Sequence, residues 1–459
     1  MSGLRIASLR QAFGMVTTKR LHTVKTNRDT RRRRPAGPSR RHGRALLAAA
    51  AAVALALAAS ACSASTAGSA SSPAPSPSPT LSAAHITISP RNGLRQAKPN
   101  HGITVTVRDG TLTSVTARTG GDAVGGELDS ASTSWQSRWT LSSGTQYVIR
   151  ATAVDADGRS ITKVSRFRTL TPDTTTSVQI FEGHNVAYGV GMPVMLTFSK
   201  PVEDKKAVEK ALVLTSSRPV VGAWHWDGDQ ALLFRPRAYW PQNIKVSFVG
   251  HFDGVQTSPG VYATHTIHQQ WSIGRSLIVV ASASDHHLQL YKDRKLIATW
   301  PISTGRPGKE TPNGTYLSIE KANPQHMVGP DYDIQVPYSV RFTWSGDFIH
   351  AAPWSVGSQG YANVSHGCVN LAPDHAQTYY EMSIPGDPVT VTGSPKAGSW
   401  GDGYTIWFLS WTDLVKGSAL HKAVRVGPDG STLVRPSALK KSKAKAPLGR
   451  PKPDNAASS

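Results

Sequence analysis

A chain of 459 residues is too long for one ordinary hydrophobic core, so two to four domains are expected. Its formal charge of +22 is carried mainly by its ends. Residues 1–61 hold thirteen Lys and Arg against the single acid Asp29, and the stretch from Arg435 holds seven against Asp454. The middle is nearly balanced, so the basicity does not mark a nucleic-acid site, and no nucleic-acid partner is expected.

Residues 1–62 read as an export segment. The run Arg31 to Arg34 is followed by an apolar stretch from Ala45 to Ala61, shorter than a membrane span and suited to a signal-peptide core. It ends at Ala59-Ser60-Ala61-Cys62, which resembles the bacterial lipobox, with Ala59 where that motif favours Leu. The resemblance implies lipidation of Cys62 and a membrane anchor at the N-terminus. Ordinary cleavage near Ala61 and an uncleaved anchor are the alternatives. Export places the body of the protein at the outer face of the cytoplasmic membrane or in the cell wall.

Residues 63–84 are rich in Pro, Ser and Ala and read as an extended tether. Residues 85–171 show short alternating strands broken by Gly and Asp turns, such as Ile103 to Val107 before Asp109-Gly110, and Tyr147 to Val154 before Asp157-Gly158. That spacing predicts a small β-sandwich. Residues 172–273 form a second β-rich unit with one short helix expected from Val202 to Leu212. In a strand, Trp224 and Trp226 would share a face and His225 would take the other.

Residues 274–393 read as a third, mostly β unit. Strands are expected over Leu277–Val280, Leu288–Tyr291 and Leu296–Trp300, and a hairpin over Tyr338–Trp344 and Phe348–Ala351. A helix runs from Pro373 to Met382, and a closing strand from Pro388 to Thr392. Residues 394–434 form a Trp-rich C-terminal subdomain, too short to stand alone and expected to fold back on its neighbours. Residues 435–459 are a basic, low-complexity tail. The fold class is therefore mainly β.

The chain has two cysteines, and Cys368 is the only one beyond the export segment. A disulfide between them would tie a membrane-proximal segment to the third unit and is not expected. Cys368 stands in Ser365-His366-Gly367-Cys368-Val369-Asn370, eighteen residues after His350. A thiol becomes nucleophilic when an imidazole removes its proton, so Cys368 reads as a nucleophile with a histidine base. Gly367 would allow a tight turn before the nucleophile, and backbone N–H groups around it could form part of an oxyanion hole. Asn370 could fix the loop. The competing reading is a zinc site of Cys368, His366 and His350, with no second cysteine to support it.

His350 together with the Ser365–Asn370 hexapeptide resembles the signature of the L,D-transpeptidases, the peptidoglycan cross-linking enzymes inhibited by carbapenems. The resemblance extends over Ser276 to Thr392, including Thr311-Pro312-Asn313-Gly314, and takes in two immunoglobulin-like domains ahead and the Trp-rich segment behind. It implies an acyltransferase with Cys368 as nucleophile and His350 as base, the latter oriented by the carbonyl of Ala351. Ser365, His366, Gly367 and Asn370 would shape the catalytic loop, and Tyr332, Trp344 and Trp354 would bind substrate. Donor and acceptor stem peptides of peptidoglycan would be the partners. No metal or organic cofactor is implied, and a monomer is expected. A carboxypeptidase-type hydrolase and a catalytically inert wall-binding lipoprotein are the other readings.

Overall fold

The computed structural model describes residues 81–434. The export segment with Cys62, the tether up to residue 80 and the tail from 435 lie outside the described residues.

The first unit packs two sheets face to face. One runs in the order His85–Ser89, Thr104–Arg108, Ser134–Ser137, Gly126–Leu128, and the other Thr111–Arg118, Gln146–Val154, Ser160–Arg168. Alternation along Gln146–Val154 buries Tyr147, Ile149, Ala151 and Ala153 and leaves Gln146, Val148 and Arg150 outside. These inward residues meet Ile86, Val105 and Trp135 from the facing sheet. Fully burying each large apolar side chain stabilises the unit by about 1.5–3 kcal/mol.

The second unit is also a sandwich. The short helix is Lys205–Lys210, capped by the Asp204 carboxylate, and Leu212 already begins a strand. Trp224 and Trp226 enter the core while His225 points the other way, 3.3 Å from the carbonyl of Leu414. The Trp-rich segment belongs physically to this unit. Its hairpin, Val424–Gly427 with Gly430–Leu433, extends the six-stranded sheet by pairing with Val220–Asp227. Trp407 is buried, donates its indole N–H to Gly191 O at 2.7 Å, and lies under the buried Arg235 guanidinium. Arg235 in turn donates to the carbonyls of Ile406 and Leu409.

The contacts between units combine stacked rings, apolar side chains and backbone hydrogen bonds. Trp139 stacks on His251 between the first and second sandwiches, 3.9 Å apart. Gly189 N–H and Gly191 N–H reach the carbonyls of Pro385 and Gly386 in the third unit. A Cβ on residue 189 would stand 2.3 Å from Asp387 N, so this close approach requires glycine. Asp387 is fully buried and paired with Arg275 at 2.6 Å.

The third unit carries a five-stranded sheet ordered Lys295–Pro301, His287–Lys292, Leu277–Ser282, Pro388–Thr392, Gly314–Leu317. Beside it lies a four-stranded sheet, Lys321–Ala322, Ser339–Arg341, Phe348–Ala351, Val369–Leu371. Both share a core of Leu277, Val279, Leu288, Tyr316, Phe342, Ile349, Val369 and Tyr379. The helix Pro373–Met382 covers the smaller sheet, with Pro at its first turn where the missing N–H costs nothing. A separate hairpin, Gln325–Gly329 with Tyr332–Val336, pairs only with itself.

Candidate active site

Strands Phe348–Ala351 and Val369–Leu371 run parallel, with Ile349 opposite Val369 and His350 opposite Asn370. Alternation then sorts their side chains. Ile349 and Val369 go into the core and are completely buried. His350 and Asn370 take the other face, and so does Cys368, two residues ahead of Asn370. All three line one cleft of about 230 Å³, together with Tyr332, Ile334, Trp354, Ser365 and His366. The seventeen residues between His350 and Cys368 thus form a crossover that returns the chain to the neighbouring strand.

The imidazole of His350 is buried, and its Nδ1 lies 2.8 Å from Ala351 O. A carbonyl can only accept, so Nδ1 carries the proton and Nε2 is left as the bare, basic nitrogen. Burial pulls the imidazole down to about 4, the hydrogen bond to Ala351 opposing it. Burial also pushes the Cys368 thiol up to about 12, and the nearby Asp347 carboxylate adds to this. His350 is buried and Cys368 half-buried, and the loss of water favours the neutral form of each.

The loop bearing Cys368 is held by its own side chains. Ser365 Oγ donates to Cys368 O at 2.6 Å and accepts from Gly367 N–H at 3.1 Å. Gly367 has φ of +135°, a conformation open to glycine, and an added Cβ would lie 2.4 Å from Asp347 Oδ1. The Asn370 amide donates to Ser355 Oγ at 3.0 Å, and its backbone N–H to Ser303 O at 2.8 Å. Tyr332 comes from the separate hairpin, its ring 5.1 Å from that of His366. Trp354 stands at the mouth, 57% exposed, with its ring 6.1 Å from His350.

A sequence profile for the L,D-transpeptidase catalytic domain matches residues 276–391, and one for a bacterial Ig domain matches residues 95–256. The chain is 33% identical over 352 residues to L,D-transpeptidase 5 of Mycobacterium tuberculosis, covering 74% of this chain and 78% of that one. The chain belongs to the L,D-transpeptidase family. L,D-transpeptidase 2 of the same species is 29% identical over 346 residues, covering 73% of this chain and 85% of its own length. A solved structure of an L,D-transpeptidase from Mycobacterium smegmatis matches at 32% identity and a TM-score of 0.39, over 47% of this chain and 99% of that one.

Within this L,D-transpeptidase the expected residues line the cleft, except Gly367, which sits just behind it over Asp347, and Trp344. The Trp344 ring packs edge-on against Tyr404 at 5.4 Å, in the contact between the third unit, the second sandwich and the C-terminal segment. The turn at Ser345-Gly346-Asp347 separates it from the strand that carries His350. Among the described residues, no three His, Cys, Asp or Glu side chains gather as metal ligands. His366 instead turns toward the hairpin, with Nε2 3.8 Å from Asp331. Sequence reasoning missed three contributors. Ser355 anchors Asn370. Asp347 sits beneath Gly367, and its carboxyl is pushed up to about 6 by burial. The hairpin that delivers Tyr332 was signalled by Gly329-Pro330-Asp331, a turn sequence.

Proposed function

We propose that this L,D-transpeptidase is an acyltransferase in which Cys368 is the nucleophile and His350 its general base. The observation that carries the reading is the single cleft lined by both, with His350 Nε2 left free of its proton by the bond at Nδ1. Sγ attacks the carbonyl carbon of the third residue of a peptidoglycan stem tetrapeptide. The bond to the terminal D-Ala breaks, and the thiol proton passes through His350 to the departing amine. A thioester remains on Cys368. The side-chain amine of a neighbouring stem peptide then attacks it, giving its proton through His350 back to sulfur, and a 3→3 cross-link results. Tyr332 and Trp354 bound the space the acyl group would occupy, and a cleft shielded by the hairpin favours the amine over water.

Acylation by a carbapenem, read as a mass increase on the intact protein, tests the nucleophile. Cys368→Ala abolishes the increase; an increase that survives the change refutes the assignment. Mass spectrometry of digested wall peptides tests the reaction. Cross-linked dimers support transfer, whereas tripeptides alone mean that water is the acceptor and the enzyme is a carboxypeptidase.

The export segment supports a place at the outer face of the membrane, with Cys62 lipidated and the two sandwiches holding the cleft away from the bilayer. The intact mass of membrane-extracted protein decides between a lipidated Cys62 and cleavage near Ala61.

A further inference from the structure

Thr311 is 1% exposed, yet its side chain is polar and fully used. Its hydroxyl accepts from Gly305 N–H at 2.9 Å and donates to Gly367 O at 2.6 Å. The first bond ties it to the loop that runs beside the nucleophile segment, where Arg306 N–H also reaches Ser365 O. The second fixes one particular carbonyl, the one immediately before Cys368.

The peptide between Gly367 and Cys368 is planar, and in a trans peptide the C=O and the following N–H point in opposite directions. Holding Gly367 O on the buried Thr311 side therefore turns Cys368 N–H toward the other side, where the cleft opens. Glycine restrains its own peptide planes least of all residues, so an outside contact must set this orientation. The next carbonyl, that of Cys368, is already held by Ser365. The two hydroxyls clamp the peptide planes on both sides of the nucleophile.

We propose that Thr311 is a positioning residue whose hydroxyl aims Cys368 N–H at the oxyanion formed when Sγ adds to a carbonyl. This rests on the reading of Cys368 as nucleophile, and it adds a residue that acts only when a carbonyl is attacked. Opening of a carbapenem ring makes such an oxyanion: the S–C bond forms, the ring C–N bond breaks, and the nitrogen takes the thiol proton. Alkylation by iodoacetamide makes none, since sulfur displaces iodide at a saturated carbon and the thiol proton goes to solvent.

The experiment compares both rates on the full exported chain, read by intact mass, for Thr311→Val, Thr311→Ser and Cys368→Ala. Thr311→Val keeps the shape and removes the hydroxyl. Its acylation rate is expected to fall about 10²- to 10³-fold, the usual loss for one oxyanion donor, while alkylation at Cys368 keeps its rate. Thr311→Ser restores acylation. Acylation of Thr311→Val at the parent rate overturns the proposal. So does a parallel loss of both reactions, which would mean that Thr311 only supports the loop. Carbapenem adducts on Cys368→Ala would instead overturn the nucleophile itself.

Discussion

Burial of His350 and partial burial of Cys368 favour the uncharged form of both, and pH is the perturbation that exposes this. With the thiol near 12 and the imidazole near 4, moving the proton between them costs about 11 kcal/mol, at about 1.4 kcal/mol per pH unit. Even an ion pair in close contact returns only about 4 kcal/mol at an effective dielectric constant of about 20. The balance still favours the neutral pair by several kcal/mol. Proton transfer then accompanies attack on the carbonyl and does not precede it. The assay is the rate of carbapenem acylation against pH, with the ultraviolet absorbance of the thiolate followed in the free enzyme. The sign follows from His350. It must be neutral to accept the proton, so the rate falls only as pH drops through about 4. Across the neutral range the rate stays level and no thiolate band is seen. A thiolate band at neutral pH that disappears on acidification through the ordinary histidine range would refute the reasoning, because only a preformed ion pair behaves so. His350→Gln removes the base, lowers the neutral-pH rate about 10²- to 10⁴-fold, and makes the residual rate climb with pH as thiolate forms.

Gly367→Ala places a Cβ against Asp347 and forces a glycine-only φ, costing about 1–3 kcal/mol from the backbone alone. Acylation and melting temperature both fall. Adding Asp347→Ala relieves the clash and recovers only part of the loss, because the φ remains. Trp344→Ala and Trp354→Ala separate packing from substrate contact. The first lowers stability by up to about 3 kcal/mol and leaves acylation of the folded protein unchanged, whereas the second raises KM for the donor with little change in the melt. Glu182 in the second sandwich is fully buried, and burial holds its carboxyl at about 8. Above its ordinary value the unfolded chain loses this proton while the native one keeps it. Its contribution to stability is therefore full below about pH 4.5 and is lost as pH rises toward 8, by about 5 kcal/mol in all. In Glu182→Gln, urea melts at the two ends of that window lose this difference; an unchanged slope would place the titrating group elsewhere.

What could be read from the chain followed the range of the interactions that decide it. The helix Pro373–Met382 carries its own signals, proline at the first turn and an acid beside it, and the strands of the third unit alternate as their neighbours require. The meeting of His350 and Cys368 in one cleft was legible for the same reason, since a strand end, a glycine before the thiol and a crossover loop all lie within a few dozen residues. Trp344 was not, because its partner Tyr404 is sixty positions away and its immediate neighbours are compatible with either side of the turn. The hairpin Val424–Leu433 carried a turn at Asp429-Gly430, yet the edge it extends, Val220–Asp227, lies some two hundred residues upstream. The protonation state of the site belongs with these distant effects. A sequence names the imidazole and the thiol, but their charges depend on how much water the surrounding sheet, the hairpin and Trp354 remove. Burial of His350 comes from the packing of two parallel strands whose register no local pattern specifies. That packing, and not the motif, decides whether sulfur waits as a thiol or as a thiolate.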